Sequence, residues 1–250
     1  IGLALLTLMA IAPVLPWRKA STETLRERLF WPTWCGVAAL VASLLLGAYG
    51  LAPLLTFTLG GVAAGAAMRQ VVLATRRQGW RGLVGRANGG MIVHLGVILI
   101  AVALGASNSF SKSQELSLVA NVEASFSGHT FELKDVVEVR DDRSISVKAL
   151  VLVDGKKIYA PAITKYTRIG MNVGTPSVRT SLTTDIYLTL EPPVRQDANE
   201  ARIKVFIKPM IIWLWIGTAL MAVGTVLAAF PGRRRKPTDA TSAPVEVAAS

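Results

Sequence analysis

Five long runs of apolar residues dominate this chain and limit what it can fold into. They occupy about residues 1–17, 31–51, 53–74, 91–108 and 209–230. A helix of about 17–25 apolar residues is long enough to cross the hydrocarbon core of a bilayer. Only 17% of the 250 residues are charged, whereas soluble domains carry about 25%. The sequence therefore predicts a multi-pass α-helical membrane protein with five spans, and it excludes an ordinary soluble domain and a disordered chain.

The polar segment between the fourth and fifth runs, residues 110–208, shows the alternation of apolar and polar residues that is typical of strands. Its clearest turn signal is Asp154-Gly155, because both central positions of such a hairpin adopt positive φ. Residues 185–190 alternate and stop at Pro192-Pro193, which cannot donate to a ladder. Residues 202–207 form a last predicted strand. We expect a small, outward-facing antiparallel β domain that is tethered at both ends by membrane helices.

Basic residues are concentrated at the ends of the predicted spans. The formal net charge is +11, and three basic segments lie at residues 18–28, 69–86 and 233–236. When the five spans alternate across the bilayer, all three segments fall on the same side, which is the positive-inside pattern. We therefore expect these segments, and a basic, disordered tail over 231–250, to be cytoplasmic. Topology and contact with lipid headgroups explain the charge, so we expect no nucleic-acid partner.

Few other polar residues indicate chemistry. Cys35 is the only cysteine, so it forms no intrachain disulfide, and we interpret it as a small hydrophobic residue of a membrane helix. His129 lies in a turn-like segment, and we expect a solvated turn histidine rather than a metal ligand. The acidic residues of the polar segment show no paired arrangement, so the catalytic residues are unknown and the domain is interpreted as a docking surface. Six tryptophans near span ends are expected to anchor at the headgroup level: Trp17, Trp31, Trp34, Trp80, Trp213 and Trp215.

His94 lies inside the fourth apolar run, about two turns from its cytoplasmic end. Ionisable residues in hydrocarbon are costly, and most of them face the interior of a bundle and have a partner there. On a helix, His94 shares a face with four residues: Met91, Ile98, Ala101 and Gly105. Beyond Ile98 that face carries only small side chains, so a neighbouring helix or a flat macrocycle can approach closely. The residues alone leave three roles open, namely an interhelical hydrogen bond, proton transfer and axial ligation of haem iron.

Three segments carry a resemblance to a known family. The first is GGMIVHLG at 89–96, followed by ASNS at 106–109; the second is RIGM at 168–171 with TPSVRTSLTTDIYL at 175–188; the third is VFIKPMIIWLWIG at 205–217. In these segments the chain resembles the C-terminal part of the CcmF family and of its paralogue NrfE. CcmF is the haem lyase subunit of the bacterial system I cytochrome c maturation machinery. The order and spacing match over about residues 1–236.

The resemblance implies a role in the ligation of reduced haem to apocytochrome c, with thioether bonds forming between haem vinyl groups and cysteine thiols in the periplasm. It implies that the chaperone CcmE delivers the haem and that CcmH presents the apocytochrome. It also implies a separate haem b in the helix bundle that keeps the incoming iron reduced. His94 matches one axial ligand of this haem b, and the implied location is the bacterial inner membrane.

The chain departs from the family pattern in several features. It contains no counterpart of the family's Trp-rich periplasmic segment, of the two histidines that flank it, or of the second axial ligand of haem b. The sequence begins at Ile1 inside an apolar run, so we expect a fragment whose missing features lie upstream and which alone does not catalyse ligation. An alternative hypothesis is a non-catalytic membrane scaffold whose β domain docks maturation partners. A transporter is less favoured, because the charged residues stay at span ends.

Overall fold

Five apolar helices frame the molecule. The computed structural model describes residues 2–12, 22–168, 170–195 and 200–230. Within them, the helices are α1 (Gly2–Ile11), α2 (Thr22–Leu45), α3 (Leu51–Gln78), α4 (Arg86–Phe110) and α5 (Ile212–Ala229), and a short 3₁₀ helix (Gly79–Leu83) connects α3 to α4.

Four of these helices are long and apolar enough to cross a membrane: α2, α3, α4 and α5. The fifth, α1, has 10 residues and extends about 15 Å at a rise of 1.5 Å per residue. The predicted multi-pass helical class is confirmed. The rest of the first predicted span, with Trp17, Arg18 and Lys19, lies outside the described residues, and so does the basic tail over 231–250.

All described strands lie between α4 and α5. They are β1 (Lys112–Val119), β2 (Glu123–Phe126), β3 (His129–Asp141), β4 (Ser144–Val153), β5 (Lys157–Tyr159), β6 (Ala162–Tyr166), β7 (Met171–Thr175), β8 (Ser177–Arg179), β9 (Thr184–Arg195) and β10 (Glu200–Pro209). They pair antiparallel in two sheets, with strand orders β1-β10-β9-β8 and β2-β3-β4-β6-β7, and β5 also pairs with β4. The predicted antiparallel β structure is confirmed.

The two sheets curl around one shared hydrophobic core. Phe131 and Leu133 of β3, together with Ile203 and Val205 of β10, are fully buried in it. The hairpin predicted at Asp154-Gly155 is confirmed, because both residues adopt the left-handed conformation, with φ of 51° and 62°. Along the strands of this core, the alternation of buried and exposed side chains follows from the two-residue period of a strand.

The β domain sits on one end of the helix bundle. Phe57 of α3 stacks on Phe110 at the end of α4, with ring centroids 6.2 Å apart. The indole Nε1 of Trp213 on α5 donates a hydrogen bond to the carbonyl oxygen of Leu182 at 2.8 Å, and the backbone N–H of Met210 donates to Thr183 at 3.0 Å. The arginine-rich ends of α2 and α3 lie at the opposite end of the bundle.

Helices α4 and α5 touch backbone to backbone through four glycines. A Cβ atom on Gly96 would lie 2.6 Å from the carbonyl oxygen of Gly217, and one on Gly224 would lie 2.9 Å from the carbonyl oxygen of Gly89. Such distances are too short for a side chain. Small residues allow this approach, and close packing drives helix association where lipid is as apolar as the side chains. The spacing of seven residues within each helix puts both contacts on one face.

We predict that Gly89→Ala destabilises the protein whereas Gly90→Ala does not. A Cβ on Gly89 meets backbone atoms of Gly224 and Ala228, but one on Gly90 meets nothing within 4 Å. The crowded substitution should cost about 1–3 kcal/mol, while alanine at position 90 gains helix propensity. Thermal unfolding in detergent gives the unfolding midpoints of the two variants. Equal midpoints for the two variants would contradict the glycine contact.

Candidate functional site

His94 places an unpartnered nitrogen inside the bundle. It lies six residues beyond Asn88, where the apolar part of α4 begins, which is about 9 Å along the helix axis. Its side chain is half-buried. Its Nδ1 atom is buried and has no hydrogen-bond partner, and no other side-chain nitrogen or oxygen in the described residues is in that state. His94 is therefore the polar group of the bundle that most needs an explanation.

The side of α4 that carries His94 faces away from α5. At about 100° per residue, His94 lies roughly 160° around the helix from Gly96, which contacts α5. One turn further along, Ile98 packs in a cluster with Met9 of α1 and Ala63 of α3. His94 thus shares the side of α4 that faces α1 and α3. The prediction that small residues on this side admit a neighbouring helix is confirmed at Gly105, where an added Cβ would lie 2.8 Å from Thr56 of α3.

The chemistry open to this imidazole is narrow. A neutral ring has one N–H donor and one acceptor nitrogen, and leaving one of them buried without a partner costs about 1–3 kcal/mol. Among the described residues, no group of three or more histidines, cysteines or acidic residues could enclose a metal ion. A metal on His94 would therefore take most of its ligands from elsewhere, as haem iron does from its macrocycle. The chemistry of a lone imidazole on a helix fits a ligand of haem iron.

An apolar crevice of about 1010 Å³ opens between the helices beneath the β domain. Leu95 and Ile98 of α4, Phe57 and Gly60 of α3, and Trp213 of α5 are among its lining residues. His94 is not among them. None of the described histidines lines the crevice, so none could reach an iron bound there. The lining suits an apolar occupant.

His129 does not fit the prediction of a solvated turn histidine. It opens β3, its Nδ1 lies 3.0 Å from Oδ2 of Asp154, and its side chain is 26% exposed. The backbone N–H of Thr130 donates to Oδ1 of Asp154 at 3.0 Å, and Arg179 donates to Oδ2. This partner could not be predicted from the sequence, because Asp154 lies 25 residues away from His129 in the chain. His129 is half-buried in an ionic cluster that joins β3, the β4–β5 turn and β8.

Asp154 is the centre of this cluster. Burial raises the pKa of its carboxyl, but the hydrogen bonds from Arg179, His129 and Thr130 outweigh burial and lower the pKa from 3.8 to about 2. The carboxylate is therefore fully ionised near neutral pH. Its bonds tie the start of β3 to the β4–β5 turn and to β8, so the cluster stabilises the β domain.

Asp185 is a second buried carboxyl that sequence reasoning missed. Only 3% of the residue is exposed, and burial raises the pKa of its carboxyl despite hydrogen bonds from Ser181 and Thr180. The same loop offers the Leu182 carbonyl to Trp213 of α5. The available signal was the run of hydroxyl residues directly before an alternating strand. Asp185 orders the loop between β8 and β9, and this loop contacts α5.

The remaining predicted residues do not converge on a site. Glu132 pairs with Lys134, and Glu138 pairs with Arg140, each within one strand. Cys35 is a free, exposed thiol. Four tryptophans are more than half exposed, as expected of residues that face lipid: Trp31, Trp34, Trp80 and Trp215.

Comparisons with known proteins find sequences similar to this chain among cytochrome c biogenesis proteins. No family model matches the sequence. Two curated proteins named "Cytochrome c-type biogenesis protein CcmF" are similar to it. The one from Pseudomonas fluorescens is 28% identical over 241 residues, and the one from Pseudomonas aeruginosa is 26% identical over 242 residues. The alignments cover 92% and 93% of this chain.

A solved structure shares the fold. The chain named "Cytochrome c Heme Lyase CcmF" superposes with a TM-score of 0.73 at 22% sequence identity and covers 92% of this chain. The present chain spans 36% of the length of each of the two curated relatives and 39% of the solved chain. The bundle with its β domain therefore corresponds to one part of a larger architecture.

We predict that Arg179→Gln lowers the free energy of unfolding by about 1–2 kcal/mol, because it removes a charged hydrogen bond to a partly buried carboxylate. The matched variant Arg140→Gln, whose side chain is 75% exposed, should cost at most about 0.5 kcal/mol. Thermal unfolding in detergent, followed by the far-ultraviolet circular dichroism of the strands, compares them. Equal losses would show that the cluster does not stabilise the domain.

The same cluster makes the stability of the folded protein depend on pH. Because the folded pKa of Asp154 lies below the unfolded value, its contribution is complete above pH 3.8 and is lost as the pH falls towards about 2. We expect Asp154→Asn to remove this acid-dependent step in the unfolding midpoint. A step of unchanged size in that variant would assign it to another group.

Proposed function

We propose that this chain, whose sequence and fold support its assignment as a CcmF-family fragment, functions in cytochrome c maturation. The observation that carries the proposal is the likeness to curated CcmF proteins over 92% of the chain. As part of the complete protein, the chain serves a haem lyase that takes haem from the chaperone CcmE. The lyase joins that haem to apocytochrome c, presented with CcmH, through thioether bonds.

Within this function, His94 would hold the iron of a haem b in the bundle. Three observations support the assignment: the buried, unpartnered Nδ1, the absence of a protein metal cage among the described residues, and the position on the side of α4 opposite α5. Haem b bound there would supply electrons that keep the substrate haem iron in its ferrous state.

The chain's own residues orient the imidazole and present the docking surface. The glycine contact with α5 fixes the rotation of α4 and hence the direction of His94. The arginine-rich ends of α2 and α3 face the cytoplasm under the positive-inside rule. The β domain over residues 110–208 then faces the periplasm of a bacterial inner membrane, where CcmE, CcmH and apocytochrome c dock on it. The tail over 231–250 is cytoplasmic.

The two histidines of the chain provide a matched test of haem ligation. We expect the full-length protein, purified in mild detergent, to show the spectrum of six-coordinate, low-spin b-type haem. His94→Ala should abolish or shift that spectrum, because iron loses one axial nitrogen. His129→Ala should leave it unchanged, because His129 lies in the β domain. An unchanged spectrum in His94→Ala would remove His94 as a ligand.

The haem content of the wild-type protein distinguishes the scaffold hypothesis from the lyase proposal. Under it, the full-length protein would hold no haem and would still co-purify with CcmE-like or CcmH-like partners. Under the lyase proposal, haem and partners are both retained.

Cells offer a separate test of the maturation role. In cells that lack the chromosomal gene for this protein, we expect the full-length wild-type and His129→Ala proteins to restore covalent haem staining of c-type cytochromes. His94→Ala should restore little or none, because the substrate iron is no longer kept reduced. Immunoblots confirm equal membrane levels of the three proteins. Full restoration by His94→Ala would contradict the proposed role of this residue.

A further inference from the structure

A groove of about 840 Å³ runs between α2 and α3 at the end of the bundle away from the β domain. Its apolar part, on the bundle side of the arginines, is lined by aromatic and aliphatic residues, among them Phe30, Trp31 and Met68. Its polar part carries three arginines: Arg26, Arg69 and Arg76. A surface that is apolar at one end and cationic at the other matches the division of a phospholipid into acyl chains and phosphate.

Arg26 and Arg69 lie about one hydrocarbon thickness from the β-domain ends of their helices. Arg69 is 18 residues from Leu51, the first residue of α3, which is about 27 Å along the helix. Arg26 is 19 residues from Leu45, the last residue of α2, or about 29 Å. The hydrocarbon core is about 30 Å thick. If the β-domain ends of both helices lie at one face of this core, both guanidinium groups lie at the opposite face, within reach of lipid phosphates.

The charge of the groove is not balanced internally. Glu23 and Glu27 also line it, so three arginines face two carboxylates and leave a net charge of +1. All ion pairs found among the described residues lie in the β domain, and none involves a groove arginine. Arg69 is nevertheless half-buried. A guanidinium at this depth favours an anionic partner, and its planar fork binds phosphate in a bidentate manner.

We propose that this groove binds one anionic phospholipid. Its phosphate lies on Arg69 and Arg76, with Arg26 beside them, and an acyl chain lies along Trp31 and Met68. A single negative charge balances the net charge of the groove, whereas a zwitterionic lipid leaves it at +1. Basic pockets between membrane helices bind anionic headgroups in this way. The site is independent of haem and of the maturation role, since it uses none of the same residues.

Native mass spectrometry of the full-length protein in detergent tests the site, with phosphatidylglycerol and phosphatidylcholine of identical acyl chains as probes. We expect one tightly retained phosphatidylglycerol and no retained phosphatidylcholine. The double variant Arg69→Gln/Arg76→Gln should weaken phosphatidylglycerol binding by about tenfold or more. The matched double variant Arg77→Gln/Arg81→Gln removes the same charge from residues that do not line the groove, and it should bind like the wild type.

Three results would overturn the proposal: equal loss in both double variants, equal retention of the two lipids, or no retained lipid on the wild-type protein. The last result is expected if another segment of protein covers the groove. A salt titration of the wild type keeps the test decisive if the first variant does not fold. Retention of phosphatidylglycerol should fall as ionic strength rises, and retention that is insensitive to salt would contradict recognition by charge.

Discussion

The backbone contact between α4 and α5 is the constraint on which the rest of the structure depends. In lipid, helices gain little from burying apolar side chains against each other, so association relies on close packing. Gly89 and Gly96 provide it on α4, and Gly217 and Gly224 provide it on α5. The same two helices lead into β1 and out of β10. One contact therefore fixes both connections to the β domain and the side of α4 on which His94 lies.

Two polar groups in this chain show opposite solutions to burial. Asp154 has acquired three hydrogen-bonding partners, and its pKa falls to about 2, so it contributes to stability. His94 keeps a buried nitrogen without a described partner, which costs stability and is retained where a function requires it. This contrast is the physical reason to propose a ligand at His94 and a purely structural role for His129.

Much of the fold could be predicted from the sequence, because apolar run length and two-residue alternation are local signals. The Asp154-Gly155 turn was predicted for the same reason, since positive φ depends on the residues of the turn themselves. The partners of Asp154 could not be predicted, because His129 and Arg179 reach it only through strand pairing. The glycines of α4 were visible in the sequence, but their partners on α5 lie more than 100 residues away and required the structure.

We propose that His94 supplies a nitrogen to haem iron instead of bridging two helices. The most direct test replaces its side chain with a cavity. The full-length His94→Gly protein is purified with its haem, and its absorption spectrum is recorded before and after addition of imidazole. We expect the variant to lose the low-spin bands and imidazole to restore them. Low-spin bands that persist in the variant before imidazole is added would contradict the proposal.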